Sequence, residues 1–146
     1  MKIEIMIDEA CSEPKVIVVT DKMTDEINSI INNLSQETPK ILVGFKDSTA
    51  VILDLSDIFK IYSTSGKIFA VTAEGEYVLK TRLYELEEKL GKAQFVRISN
   101  SEIVNFKKVR RFDMGLTGTI CVTLANGSTT YASRRYVNKI KQILGI

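Results

Sequence analysis

A chain of 146 residues, 45% hydrophobic and 26% charged, can bury the core of one ordinary domain with at most a small attached unit, which excludes a disordered polymer. It has no histidine and only two cysteines, Cys11 and Cys121, which excludes Ser-His-Asp and Cys-His catalysis, histidine metal sites and a four-ligand structural zinc. The net charge of +2 conceals a gradient, −4 over residues 1–44, −1 over 45–95 and +7 over 96–146, so the last third is built to meet an acidic partner or to form a solvated basic surface.

No apolar run approaches the roughly 20 residues that span a bilayer. The N-terminus "MKIEIMIDEACSEPK" carries acids where a signal peptide needs basic residues and a continuous apolar stretch. The chain therefore reads as a cytoplasmic protein with reduced thiols, no metal and no cofactor. Serine–lysine and carboxylate chemistry remain open, but the expectation is that it is not an enzyme.

In chain order, Lys2–Ile7 alternates Ile3, Ile5 and Ile7 with mostly polar neighbours and predicts a strand. Val16–Val19 predicts a second strand after Pro14. Met23, Ile27, Ile30, Ile31 and Leu34 form the apolar stripe of a helix capped by Thr20 or Asp21 and ended by "SQETPK". After Pro39 come short β-branched and aromatic runs: Ile41–Phe45, Val51–Leu53, Ile58–Tyr62, Ile68–Thr72 and Tyr77–Lys80, with Gly66 and Gly75 in turns. A helix from about Arg82 to Leu90 stops at Gly91. Gln94–Ile98 and Val109–Met114 read as strands. "TICVTLANGSTTYAS" reads as a hairpin whose Asn126-Gly127 suits a two-residue turn with positive φ at both positions. Ser133 opens a last helix with Tyr136, Val137, Ile140, Ile143 and Leu144 on one face and Lys139, Lys141 and Gln142 opposite.

Two short motifs carry little. "STSGK" at Ser63–Lys67 ends like a phosphate-binding loop, but Ile61 and Ile68 stand where that motif needs glycine and a hydroxyl residue. A polar turn presenting Lys67 remains. "GLTG" at Gly115–Gly118 has the form of an RNA-binding clamp, yet strands flank it, so a hairpin turn is the simpler reading.

Two clusters carry more. Ser99 followed by Glu102 has the form of a capping box and predicts a short helical turn from Asn100, anchored by Ile103, Val104 and Phe106. Asn100 offers the donor and acceptor pair that reads adenine, or else satisfies a loop backbone. In "ASRRYVNK", Arg134 and Arg135 sit in the first turn of a helix, where cations oppose the macrodipole. A bound anion would relieve that conflict, and arginine is the commonest reader of guanine. An ion pair with the acidic N-terminal region is the competing explanation.

"FVRISNSEIVNFKKV", "LANGSTTYASRRYVNKIK" and the preceding strands ending in "YELEEKL" together resemble the LytTR DNA-binding domain of bacterial transcription regulators, from about Gly44 to Ile146. The resemblance implies a mainly β fold with short helices, an elongated antiparallel β-sandwich, here preceded by a small β-β-α unit over residues 1–43. It implies loops, rather than a recognition helix, entering successive major grooves of double-stranded DNA, with a homodimer on direct repeats.

Carried over by position, base contacts fall on Lys67, Asn100 and Arg135. Phosphate contacts are expected from Ser65, Arg97, Ser99, Ser101, Lys108, Arg110 and Arg134. The family block more often reads His-Arg-Ser where this chain has Ser99-Asn100-Ser101, which bears on the preferred base sequence. The N-terminal unit is too short for a receiver domain of about 120 residues. It is the candidate for dimerisation, or for contact with a membrane-protein inhibitor encoded nearby, which the resemblance alone implies. The alternatives are a non-catalytic module whose basic third docks on an acidic protein, membrane or RNA surface, and a Ser–Lys hydrolase.

Overall fold

Period-two alternation in the central strands supplies two cores at once. The computed structural model of the chain describes residues 1–35, 41–115 and 118–146. In β3 (Ile58–Thr64), Ile58 and Ile61 enter one apolar cluster and Phe59 the other, an irregularity between Ile58 and Lys60 resetting the alternation. In β7 (Glu102–Asn105), Ile103 and Val104 divide the same way, as do Phe95 and Val96 in β6 (Phe95–Ser99). Such strands are buried on both faces and read as near-continuous apolar runs.

With β1 (Ile41–Lys46), β2 (Thr49–Asp54), β4 (Lys67–Thr72) and β5 (Gly75–Leu79), these strands form a seven-stranded antiparallel sheet in the order β2-β1-β5-β4-β3-β7-β6. Gly44 in β1 has a packing reason: a Cβ there would stand 2.7 Å from both Leu53 Cδ1 and Tyr77 Cβ. The first core packs Leu83, Leu86 and Leu90, carried by α2 (Leu83–Lys89) and its C-cap, against Leu55, Ile58, Ile61, Leu79, Phe95 and Ile103. The second core lies among β6, β7, a three-stranded sheet and the last helix. That sheet has the order β10-β9-β8, from β8 (Val109–Met114), β9 (Ile120–Leu124) and β10 (Thr129–Ala132). It supplies Ile120, Val122, Leu124 and Ala132, while α3 (Arg134–Leu144) supplies Ile140. Fully burying each such side chain contributes about 1.5–3 kcal/mol, which makes these clusters the main source of stability.

Asn105, fully buried, joins strand to turn at the centre. Its Nδ2 donates to the Ile58 carbonyl at 2.8 Å, and its Oδ1 accepts from the Lys107 N–H at 3.0 Å, capping the 3-10 turn Phe106–Lys108. Glu102 spans both sheets: Thr130 donates to its Oε2 at 2.7 Å, and the Lys60 ammonium lies 2.9 Å from its Oε1.

The mainly antiparallel β architecture is as expected, and several local details differ. Ser99-x-x-Glu102 forms no helical turn. Ser99 pairs with Glu102 across the β6–β7 hairpin, because Glu102 turns to Lys60 and Thr130 instead of back to the Ser99 backbone. At Asn126-Gly127 only Gly127 has positive φ, 86°. Asn126 Oδ1 instead accepts from Ser128 N–H and Oγ–H, a side-chain turn that fixes a longer loop. The α2 helix does end as expected, with Leu90 as its C-cap directly before Gly91. The "GLTG" turn and the "SQETPK" stop involve residues 116–117 and 36–40, outside the described residues.

The chain divides into two compact units, Met1–Glu37 and Thr38–Ile146. The second takes in β1 whole, so the division falls near Pro39, where the sequence changes texture, rather than between residues 43 and 44. In the first unit, α1 (Asp25–Ser35) begins after Met23, with Thr24 Oγ1 accepting from Ile27 N–H at 3.3 Å; Thr20 and Asp21 are not its caps. The strands expected at 2–7 and 16–19 are not formed. The alternation is present, but a strand needs a ladder partner, and neither segment has one among the described residues of the unit. Among the described residues, no helix is long and apolar enough to cross a membrane.

Candidate nucleic-acid interface

Three segments distant in sequence meet at one end of the large sheet. The first is the β3–β4 turn, where Ser65 (φ 50°) and Gly66 (φ 76°) both take the left-handed conformation of a two-residue hairpin turn. A non-glycine residue there costs about 1–3 kcal/mol, so the tip is held by the pairing of Thr64 with Lys67 behind it. Lys67 is exposed at that point.

The second segment is the β6–β7 turn, Asn100-Ser101, which follows an irregularity between Arg97 and Ser99. Ser63 N–H donates to the Ser101 carbonyl at 2.8 Å and ties this turn to the end of β3. The third is the entry to α3. Ser133 N–H donates to the Ile98 carbonyl at 2.8 Å, which anchors the first turn of α3 beside β6. From that turn the Tyr136 hydroxyl donates to Asn100 Oδ1 at 3.3 Å. The Arg135 guanidinium lies over the Tyr136 ring, 5.7 Å from its centre, and is solvent-exposed.

Lys67, Asn100 and the residue following Arg135 thus belong to adjoining segments. Lys67 and Asn100 also line one shallow groove with Ser65, Arg97, Lys80 and Arg82. Ser99 and Ser101 shape the turn itself, since Ser101 N–H donates to Ser99 Oγ at 3.3 Å. Arg134 and Arg135 both stand exposed in the first turn of α3.

Arg97, expected at a phosphate, is committed within the fold. Its Nε donates to the Ser99 carbonyl at 3.1 Å, one terminal nitrogen to the Asn100 carbonyl at 2.6 Å, and the other to Glu87 Oε2 at 2.9 Å. These bonds suit a guanidinium that shapes the Asn100 turn. The other basic cluster lies elsewhere. The Lys108 ammonium sits over the Phe59 ring at 5.3 Å, Arg110 donates to the Ala125 carbonyl at 3.0 Å, and Arg111 pairs with Asp113 at 3.3 Å. None of the three lines the groove of Lys67 and Asn100. A register shift between Val109 and Arg111 leaves Arg110 and Arg111 both exposed, against simple alternation.

Glu87 connects three elements. From α2 it meets Arg97 of β6 and, at 3.6 Å, Lys139 of α3. Partial burial pushes its carboxyl up, but the hydrogen bond and charge of Arg97, with Lys139 beyond, outweigh that and hold it below the ordinary glutamate value. A depressed carboxylate stabilises the fold above its unfolded pKa, about 4.3, and that contribution is lost as pH falls through the folded value. Urea denaturation from pH 6 to pH 3 will therefore show a steeper acid loss for the wild type than for Glu87→Gln; equal slopes would show the network contributes nothing.

Sequence reasoning passed over Glu87, Tyr136, Lys80 and Arg82. Tyr136 was legible only as part of an apolar stripe, and its hydroxyl finds Asn100 only once α3 docks. Lys80 and Arg82 flank the start of α2 and carried no motif.

An antiparallel scaffold that gathers polar and basic loop side chains along one end, with α2 and α3 separated by five strands, defines a β-scaffold binding domain without a helix-turn-helix among its described residues. The family model of the LytTr DNA-binding domain matches residues 48–145. The chain is 35% identical, over all of its length and 99% of theirs, to HTH-type transcriptional regulators of Staphylococcus aureus strains MSSA476 and NCTC 8325. A solved LytTr DNA-binding domain from Bacillus cereus superposes with a TM-score of 0.71 at 20% identity, covering 74% of this chain and 99% of that one, which speaks to the fold. The chain belongs to the LytTr DNA-binding domain family.

Proposed function

We propose that this protein is a sequence-specific, double-stranded-DNA-binding transcription regulator. It reads base edges in successive major grooves through Lys67, Asn100 and Arg135, and acts in the cytoplasm without catalysing a reaction. The observation that carries this reading is the joining of the Asn100 turn to the β3 end and to α3 by two hydrogen bonds, with a third from Ser133 to Ile98 of β6 beside them. Loop side chains held by a rigid scaffold are the usual form of a recognition surface. Ser65, Ser99, Ser101 and Arg134 flank the readers and suit phosphate contacts that set register. Lys108 and Arg110 sit apart and add a general attraction to the duplex.

Binding as a homodimer on direct repeats is part of the proposal, with residues 1–35 as the contact. Among residues 1–34 no side chain is buried, and Ile3, Ile5, Met6, Ile7 and Val19 are 84–91% exposed. Units below about 40 residues usually need oligomerisation or a staple to fold, and Cys11 is an exposed free thiol. The alternating Ile3, Ile5 and Ile7 would find their missing ladder on a second copy.

The test is fluorescence anisotropy on a duplex selected from a random pool. Asn100→Ala and Arg135→Ala will each weaken that site by about 1–3 kcal/mol and relax preference at different base pairs. Unchanged affinity and preference in both variants would remove them as readers.

A further inference from the structure

We infer that Tyr136 is a positioning residue for base recognition: its hydroxyl, hydrogen-bonded to the side-chain amide of Asn100, fixes where that amide stands on the turn. The inference rests on the proposed reading by Asn100.

The two ends of an asparagine amide are nearly equal in shape and opposite in polarity, so rotation by half a turn exchanges acceptor for donors. A phenol both donates and accepts, so Tyr136 can hold either end, and what it fixes is the place of the amide rather than the choice of end. Here the turn and the side chain are held separately. The backbone of Asn100 is fixed by Arg97, which grips the carbonyls of Ser99 and Asn100 and is itself held by Glu87. The side chain is reached from across the fold by the Tyr136 hydroxyl, 3.3 Å from Oδ1. Tyr136 is a rigid arm for this purpose. Its ring packs on the second core, and its backbone N–H closes on the Ser133 carbonyl at 3.0 Å.

With either end held, the amide keeps at least one N–H donor and one acceptor direction. That remainder matches the adenine edge, where N7 accepts and the N6 amino group donates. The same ring also lies against Arg135, so one residue borders both readers. A phenylalanine would fill the same space and keep the packing, and remove only the hydroxyl.

The experiment compares wild type, Tyr136→Phe and Asn100→Ala on the selected duplex, on its single-base variants and on random DNA, alongside melting temperature and the side-chain amide NMR signals of Asn100 without DNA. In Tyr136→Phe the Asn100 amide signals are expected to move. Discrimination should fall about 3–10-fold, the net worth of one hydrogen bond, only at the base pair whose preference Asn100→Ala erases. Affinity for random DNA and the melting temperature should hold. Full discrimination at that base pair in Tyr136→Phe overturns the inference, as do unmoved amide signals. Should Asn100→Ala erase no preference while the amide signals still move in Tyr136→Phe, Asn100 is no reader, and the positioning role falls with it although the hydrogen bond stands.

Discussion

Asn105→Ala will lower the unfolding free energy by about 2–4 kcal/mol, the cost of leaving one part-buried amide N–H and at least one buried carbonyl without partners. The side chain has no exposure, its Nδ2 serves the Ile58 carbonyl, and its Oδ1 caps the turn that carries Lys107 and Lys108. A fall in melting temperature on the order of 10 °C should accompany the loss of stability. Equilibrium urea denaturation gives the number directly, and a loss below about 0.5 kcal/mol would mean that the turn satisfies itself without Asn105. This asparagine belongs to the polar block that resembles the family, and its place in the core assigns it to the scaffold rather than to the binding face.

Ile140→Ala will cost about 2–5 kcal/mol and will weaken DNA binding by more than the change in global stability accounts for. Ile140 is the one side chain of α3 that is wholly buried; Tyr136, Val137, Ile143 and Leu144 are only half-buried against the same cluster. Truncating it loosens the helix that presents Arg135 and orients Tyr136, so local undocking precedes global unfolding. The exposed Lys141 on the same helix supplies the control: Lys141→Ala should leave stability within about 0.5 kcal/mol of wild type. Hydrogen exchange of the α3 amides separates the two effects. Equal protection in Ile140→Ala and wild type would show that α3 is held by other contacts.

Much of the fold was legible because its causes are local. The stripe Tyr136, Val137, Ile140, Ile143 and Leu144 is a helix face, and the β-branched runs from Ile41 to Leu79 became β1 to β5. The failures share one physical cause, a partner distant in sequence. Ser99-x-x-Glu102 meets the form of a capping box and of a hairpin alike, and Lys60 and Thr130 decide between them by drawing Glu102 away. Ile3, Ile5 and Ile7 alternate as a strand does, yet among the described residues of the unit no segment pairs with them. The pairing of Arg97 with Glu87, set by the packing of α2 beside β6, likewise carried no signal in the sequence. At the candidate site, residue type and position pointed to Lys67, Asn100 and Arg135. The bonds that hold these segments together, Ser63 to Ser101, Ser133 to Ile98 and Tyr136 to Asn100, belong to the tertiary fold.

Sequence-specific recognition of duplex DNA is read out by the ratio of affinities for a selected duplex and a random one across a salt series. A ratio on the order of a thousandfold or more is expected, with both affinities falling as salt rises and the preference surviving at physiological ionic strength. Equal binding to every duplex at every salt concentration would contradict the account, leaving a basic surface that meets polyanions without reading them.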